Sequence, residues 1–551
     1  MSTDLLFEHF ATLATAPDGI ARLRELILQL AVQGKLGTQD AGDEPAGVLL
    51  KKIFSEKKRF VRGQKKEENF EEFPISEITE QYPNNWVLTR LIEVIDFARG
   101  RRPDELYETP KKYPYIDIDA FERNILKQYS DEENVIFCDN SNLIIVTDGS
   151  RSGLVGFGRC GILGSTLGKI GILGGMDKQY LYYFLKANYN RFNQNKKGAR
   201  IPHLDMNLFR DLTFPLPPLV EQHRIVAKVD RLMILCDELE ARQQKKRMGC
   251  LRLGTASLVA LQNATPSEEF GWQWAKVCDE FDLILDCPEN IERLRDSIVA
   301  LACSGKLTEK WRTENRDVEP ASRTLEKLIK DRKKKKFLKT NLKQHDFSEF
   351  PQIPDTWMWS TIEEVSERVT VGHVGPMMNE YRATGIPFLR SQNVRKNNFD
   401  EKGLVYISQE FHDILNKSKI EPGDLVVVRS GNVGVCCVIP DSLKDANCSD
   451  LVIIKQPFGF LPRFGAYYVN SISQTWVNSG KVGMALTHYN TKSVANIPIP
   501  LPPLAEQYRI VAKVDALMAL CDELEARLKE RAAVQGRFAN AIVKEVGANN
   551  A

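Results

Sequence analysis

The side chains best placed for chemistry sit in Gly-rich turns, and they are hydrogen-bond donors. Arg99, Arg101 and Arg102 fall in FARGRRP, Arg151 in DGSRSG, and Lys196, Lys197, Arg200 and His203 in NKKGARIPH. A later stretch carries a different set: His373, Arg390, Gln392, Asn393, Arg395, Lys396, Arg429, Asn432, Lys481, His488, Tyr489 and Asn490. Arg presents a fork to guanine, and Asn or Gln pairs with adenine, so this repertoire suits reading of base edges in a DNA major groove. Ordinary surface loops carry such residues too. The weight falls on matching loops with unlike side chains, which two different half-sites would require. Two basic runs, Lys51 to Lys66 and Lys327 to Lys339, also recur. They read either as phosphate-tracking segments or as solvated helices.

Catalytic patterns fail on inspection. GFGRCG, from Gly156 to Gly161, has the spacing GxGxxG, but ILGSTLGKIGIL follows it where an amphipathic helix is needed. Gly168 and Lys169 lack the remaining residues of a phosphate-binding loop: Leu163 stands where Gly is required, and Ile170 where Ser or Thr is. No Asn-Pro-Pro-aromatic tetrad of an adenine methyltransferase is present, and the seven histidines show neither HExxH nor HxH spacing. The expectation is therefore no catalytic residue and no metal site in this chain.

The 551 residues exceed one ordinary domain, and 75 basic against 73 acidic residues leave a net charge of only +2. Bulk electrostatics thus neither requires nor excludes a nucleic acid. No run approaches the roughly 20 apolar residues of a membrane span, and no basic n-region precedes an apolar core. The eleven cysteines form no CxxC pair, which fits a reducing compartment. The expectation is a cytoplasmic protein with no membrane contact.

Elements that must position these donors are written twice. Pro215 to Arg242 (PLPPLVEQHRIVAKVDRLMILCDELEAR) and Pro500 to Arg527 (PLPPLAEQYRIVAKVDALMALCDELEAR) differ at four positions. The match continues weakly upstream, pairing Gly198 with Gly483 and His203 with His488. Leu23 to Leu36 (LRELILQLAVQGKL) matches Leu294 to Leu307 (LRDSIVALACSGKL), and Pro83 and Trp86 align with Pro354 and Trp357. Each half thus orders a helix, a basic stretch, a Pro-x-x-Trp entry, a globular block, then PLPPL and a second helix. Borders are kept while inserts diverge. Duplication alone leaves repeats, but drift would blur frame and insert alike, so the pattern fits two arms that recognise different things.

Inside the inserts, YPYIDI, NLIIVTDG, IPFLRS, DLVVVRSG and SDLVIIK read as strands between turns, with helices from Tyr180 to Asn188 and Phe464 to Ser471. After PLPPL, Ile225, Val229, Leu232, Cys236 and Leu239 recur at heptad spacing, and Ile510, Val514, Leu517, Cys521, Leu524 and Leu528 repeat the seam. The prolines start each helix near Glu221 and its counterpart. The seams are expected to pack on each other, antiparallel; the alternative is that each packs on its own domain. From Glu221 to Gln244 such a helix spans roughly 36 Å, close to the ~34 Å of a DNA turn, so it could act as a ruler between arms. The expected fold is α+β: two mixed α/β domains separated by a long antiparallel helical coiled-coil spacer, as a pseudo-twofold repeat. Expected boundaries are 1–70 (helical, basic), 80–214 (first domain), 215–345 (central spacer), 350–499 (second domain) and 500–551 (C-terminal spacer).

Together, the Pro-x-x-Trp entry, IPFLRSQNV, GDLVVVRSG and above all PLPPLxEQxRIVAKVDxLMxLCDELEAR resemble the specificity subunit of type I restriction-modification systems. The resemblance covers nearly the whole chain; the LRELILQLAVQGKL segment and the length point to longer members. It implies two target-recognition domains, each reading half of a bipartite gapped site on double-stranded DNA. It also implies two modification subunits that methylate adenine N6 with S-adenosylmethionine, and restriction subunits that use ATP and Mg, so that this chain needs no cofactor of its own. A subunit serving methylation alone, or a coiled-coil protein-binding adaptor, is the alternative.

Overall fold

The computed structural model describes residues 10–36, 38–61, 82–195, 202–264, 267–334, 347, 350–457, 459–479 and 490–548. The chain divides into two compact units, Met1–Lys245 with Glu530–Ala551, and Lys246–Lys529.

In the first unit, helix α1 (Gly19–Val32) precedes ten strands: β1 Val87–Arg90, β2 Ile95–Arg99, β3 Tyr113–Ile116, β4 Tyr129–Ser130, β5 Phe137–Cys138, β6 Leu143–Val146, β7 Val155–Phe157, β8 Gly161–Leu163, β9 Leu167–Ile172 and β10 Thr213–Leu216. They form one sheet of order β2-β9-β6-β7, a second of order β4-β3-β8-β5, and the pair β1-β10. That antiparallel pair matches Val87 with Leu216 and Arg90 with Thr213, so the chain enters and leaves the domain side by side. The long helix α2 (Leu219–Asn263) follows, its residues to Lys245 in this unit and the rest in the second.

The second unit repeats this plan. Helix α3 (Glu289–Cys303) leads into β11 Met358–Thr361, β12 Ser366–Val371, β13 Ile386–Leu389, β14 Val394–Arg395, β15 Asn398–Phe399, β16 Val405–Ile407, β17 Lys419–Ile420, β18 Leu425–Val428, β19 Cys436–Val438, β20 Ala446–Cys448, β21 Leu451–Pro457 and β22 Pro498–Leu501. The sheets are β12-β21-β18-β19, β16-β13-β20-β17 and β11-β22, with strand roles matching the first domain one for one. The hairpin β14-β15 has no counterpart there, and it accounts for part of the second domain's extra length. Helix α4 (Leu504–Ala548) closes the chain; its residues from Glu530 on belong to the first unit, where Ala539 and Ile542 join the core of Ile225 and Val229.

All five runs read as strands are strands. The apolar runs LIIV (β6) and LVVV (β18) are buried throughout because each feeds two cores from its two faces. Leu143 and Ile145 enter the larger core, while Ile144 and Val146 enter a smaller one with Ile116 and Leu163. In the second domain Leu425 and Val427 likewise part from Val426 and Val428.

The seams are buried, but each lies in the core of its own half. Ile225, Val229 and Cys236 join Leu23, Leu26, Ile27 and Leu30 of α1, with Leu232 and Leu239 against the same cluster. Ile510, Val514 and Cys521 join Ile291, Ile298, Val299 and Ala302 of α3, with Leu517, Leu524 and Leu528 at its edge. Each seam thus shares its core with the shorter helix of its half, whose own apolar stripe matches it, and the far end of α4 joins the first of these cores through Ala539 and Ile542. Helix α2 runs on past Gln244, to 45 residues, and α4 has the same length within the expected C-terminal spacer. Gly249 and Gly254 weaken the helix beyond that point but do not end it, since no proline interrupts it. Gly254 is a contact: a Cβ there would lie 2.4 Å from the amide of the buried Asn290.

Candidate nucleic-acid interface

The frame that holds each domain is a set of repeated contacts. Helix α1 ends at Gly34, whose φ of +71° is left-handed, and the Lys35 N–H returns to the Leu30 carbonyl at 2.9 Å. A Cβ on Gly34 would meet Pro83 at 2.5 Å and Trp86 at 3.1 Å; Gly305, at φ +78°, meets Pro354 at 2.8 Å and Trp357 at 3.2 Å in the same way. The shared offset of Gly-Lys-Leu and Pro-x-x-Trp is thus a physical contact. The Trp86 indole donates to the fully buried Glu221 carboxylate at 2.9 Å, and Thr38 and Gln39 donate to its other oxygen at 3.1 and 2.9 Å. Trp357 donates to Glu506 at 2.8 Å, with Thr308 at 2.7 Å. Gln222 and Gln507 each accept a loop N–H from their own domain, from Asp177 at 2.9 Å and Leu461 at 2.7 Å. The Tyr183 hydroxyl donates to Asp230, as Tyr467 does to Asp515; burial first, then that bond, pushes each phenol up to about 12.

On this frame the first domain gathers donors at one edge of its sheet. Arg99 ends β2 opposite Gly168, and Val146 ends β6 opposite Leu167, so both strands finish beside the start of β9. A Cβ on Gly168 would lie 2.6 Å from the Phe97 ring, which packs over it. The loop after β6 is pinned to the strand-like segment at 202–204: the Gly149 N–H donates to Pro202 O at 2.7 Å, and Leu204 N–H to Thr147 O at 2.8 Å. Asp148 therefore faces both Arg99, whose Nη2 donates to Oδ2 at 2.6 Å, and His203, whose Nδ1 contacts Oδ1. Thr147 adds a hydroxyl donor at 3.1 Å. Burial acts to raise the Asp148 carboxyl, but the bonds from His203 and Arg99 outweigh it and hold the group below its usual range. Arg151, on the same loop, pairs with Glu122, and Arg101 lies 3.6 Å from Asp104. Arg102 is exposed. Lys196, Lys197 and Arg200 lie outside the described residues.

The second domain presents other chemistry at the matching loop. Arg429 follows β18 and pairs with Asp450 at 2.6 Å, with the exposed Asn432 three residues on. Arg390 and Gln392 both donate to the Gly403 carbonyl, at 2.9 and 3.1 Å, and Arg390 stacks over Tyr381. Arg395 pairs with Asp400 at 3.3 Å, and Lys396 with Asp296 of α3. His373 stands edge-on to Phe411. Two of the expected readers, the buried Asn393 and the exposed Asn490, make local structural bonds. Asn393 is fully buried, its amide donating to Asp400 O at 2.9 Å and accepting from the Arg390 N–H at 3.0 Å. Asn490 caps the helix Thr491–Ala495 through the Ser493 N–H at 2.9 Å. Lys481, His488 and Tyr489 lie outside the described residues, as do Gly198 and Gly483 of the weak repeat.

Of the first basic run, Lys57 points inward and donates to the Ile92 and Ile95 carbonyls. Lys51, Lys52 and Lys58 remain exposed. GFGRCG crosses from β7 to β8, and its glycines sit against protein: a Cβ on Gly158 would lie 2.3 Å from Asp139 O. Among the described residues no group of three His, Cys, Asp or Glu is placed to hold a metal ion, and no helix is long and apolar enough to cross a membrane. The residue that sequence reasoning passed over is Asp148. No local pattern marks it; its partners come from positions 49 and 55 residues away.

A family model described as Type I restriction modification DNA specificity domain matches residues 83–247 and 354–533, one copy per half. The chain is 26% identical to the type I restriction enzyme EcoEI specificity subunit of Escherichia coli, over 95% of this chain and 93% of that protein. Identity and coverage are the same for the EcoAI specificity subunit of that species. Among solved structures, the HsdS subunit from Thermoanaerobacter tengcongensis aligns over 85% of this chain and 98% of its own, at 19% identity and a TM-score of 0.39.

Proposed function

Because the chain belongs to the type I restriction-modification DNA specificity domain family, we propose that it is the sequence-reading subunit of a type I restriction-modification enzyme. It recognises a bipartite, gapped site on double-stranded DNA, one half-site per sheet domain. It then orients two modification subunits, which methylate adenine N6, and the restriction subunits on that site. Chemistry belongs to those partners, which would hold S-adenosylmethionine, ATP and Mg; this chain supplies recognition and no catalytic group.

The observation that carries this reading is one frame with two faces. Glu221 and Glu506 lock their domains through the same indole bond, and the strand orders agree. Yet the loops at matching positions differ: an Asp148-centred trio in one domain, an Arg429–Asp450 pair in the other. Identical scaffolds with different hydrogen-bonding edges are what two unlike half-sites demand, since sequence is read by donors and acceptors set at fixed places.

Mapping N6-methyladenine across the host genome with and without this gene tests the proposal. One bipartite motif should vanish on deletion. An unchanged methylation map, with the partner subunits expressed, contradicts it.

A further inference from the structure

Resting on the DNA-reading role above, we propose that Asp148 is the positioning residue that presents Arg99 to a guanine in the half-site read by the first domain, with His203 as its flank. The Asp148 side chain is only 10% exposed, whereas Arg99 and His203 are 54% and 49% exposed. A carboxylate sunk in the surface thus holds two donors that stand out from it. Each oxygen has its own charged or aromatic partner, so the two side chains cannot exchange places without breaking one contact.

The geometry also fixes which edge of Arg99 is presented. Its Nε–H points to Ser165 O at 3.3 Å and one Nη2–H to Asp148 at 2.6 Å. The guanidinium is planar, so the edge built from Nη1 and the second Nη2 hydrogen faces away from those partners. That edge carries paired parallel N–H groups, the arrangement that meets the O6 and N7 acceptors of guanine. His203 contacts Asp148 through Nδ1, so Nε2 takes no part in that contact, and the side chain is half exposed.

The chain path makes this trio specific to one arm. It requires Arg at the end of β2, Asp after β6 and His in the segment following 202, brought together by the order β2-β9-β6 and the pinning of that segment to the loop after β6. In the second domain the residue after β18 is Arg429 itself, held by Asp450 from the loop before β21. The polarity of the loop is reversed, with the donor now where the first domain has its carboxylate segment. The two arms therefore present guanidinium groups from different strands, and any guanine they read falls at different places in their half-sites.

The experiment is methylation mapping with the full chain and its partner subunits, comparing the unmodified protein with Arg99→Gln, Asp148→Asn and His203→Gln. Arg99→Gln and Asp148→Asn should relax the same single base-pair position, a guanine, in one half-site. Methylation at sites bearing other bases there should rise about tenfold or more relative to sites with guanine, with the other half-site unchanged. His203→Gln should alter preference only at that position or its neighbour. A uniform fall at all sites with an unaltered motif, an unaltered map, or relaxation in both half-sites overturns the assignment. Arg99→Gln keeps the Asp148–His203 contact, so it tests reading even if Asp148→Asn loses the fold. If the unmodified chain directs no bipartite motif at all, the DNA-reading role itself fails, and this assignment with it.

Discussion

Trp86 donates its indole N–H to Glu221 at 2.9 Å, tying the residue that opens the first sheet domain to the first turn of the helix that follows it. Trp357 and Glu506 repeat the bond at 2.8 Å. Each carboxylate is fully buried and accepts from three or more donors, so the charge is stabilised by the domain it anchors. Trp86→Phe removes one charge-assisted bond and should cost about 1.5–3 kcal/mol. Denaturant unfolding should show the loss in the transition of the first unit, and Trp357→Phe should do the same in the second.

The left-handed glycines that meet those tryptophans are expected to be intolerant. Gly34→Ala and Gly305→Ala combine backbone strain of about 1–3 kcal/mol with contact against Pro83 or Pro354. Gly249→Ala and Gly536→Ala form the control. Both are helical, a Cβ at either meets nothing within 4 Å, and each should stabilise by about 0.5–1 kcal/mol. Thermal melts of the four variants would separate the classes by sign.

Two equivalent ion pairs should differ in worth. Arg24 of α1 bonds Asp237 and Glu240 at 2.6 and 2.7 Å, with the acids well exposed. Arg295 of α3 bonds Asp522 and Glu525 at 2.8 and 2.7 Å but is itself only 14% exposed. Arg24→Met should cost no more than about 1 kcal/mol, as solvent-screened pairs do. Arg295→Met should cost somewhat more, about 1–2 kcal/mol, because Arg295 is 14% exposed against 29% for Arg24 and its partner Glu525 is 34% exposed against 59% for Glu240, while Asp522 stays as hydrated as Asp237. Equal losses in chemical denaturation would contradict the argument from burial.

In the second domain Lys455 donates to Asp424 at 2.6 Å, and both are buried. Asp424 also accepts the Gln456 and Glu421 backbone N–H groups at 2.9 and 2.8 Å. Asp424→Ala removes the shortest of the Lys455 ammonium's bonds, leaving Glu421 and the Lys419 carbonyl at 3.3 Å, and takes the acceptor from two backbone amides; it should destabilise by about 2–4 kcal/mol, measured by equilibrium unfolding.

Acid should weaken the Asp148 cluster in a defined direction. The folded carboxyl sits below its ordinary value of 3.8 because the His203 and Arg99 bonds outweigh burial. A depressed carboxyl contributes stability above its unfolded pKa and loses it as pH falls through the folded one. The stability gap between the native chain and Asp148→Asn should therefore narrow as pH drops below about 4. A gap that widens in acid would reverse the sign.

The frame was legible in the sequence because its contacts are made by residues that had to be kept together: Gly34 with Trp86, and Trp86 with Glu221. The strands were legible because β6 and β18 feed two cores and so carry unbroken apolar runs. The partner of each seam was not, since Ile225 and Val229 display a stripe without saying which stripe faces it, and α1 and α3 offered one as suitable as the other seam. Asn393 read as a surface donor because its type says nothing of burial. Asp148 was missed because its meaning comes only from the order β2-β9-β6, which brings Arg99 and Asp148 to the same edge.

The most direct test of two independent readers on one repeated frame is to replace residues 86–214 with the corresponding arm of another family member and map methylated adenines. The account predicts that one half-site changes to that of the donor while the other is retained. A change in both half-sites together, or in neither with methylation intact, would contradict it.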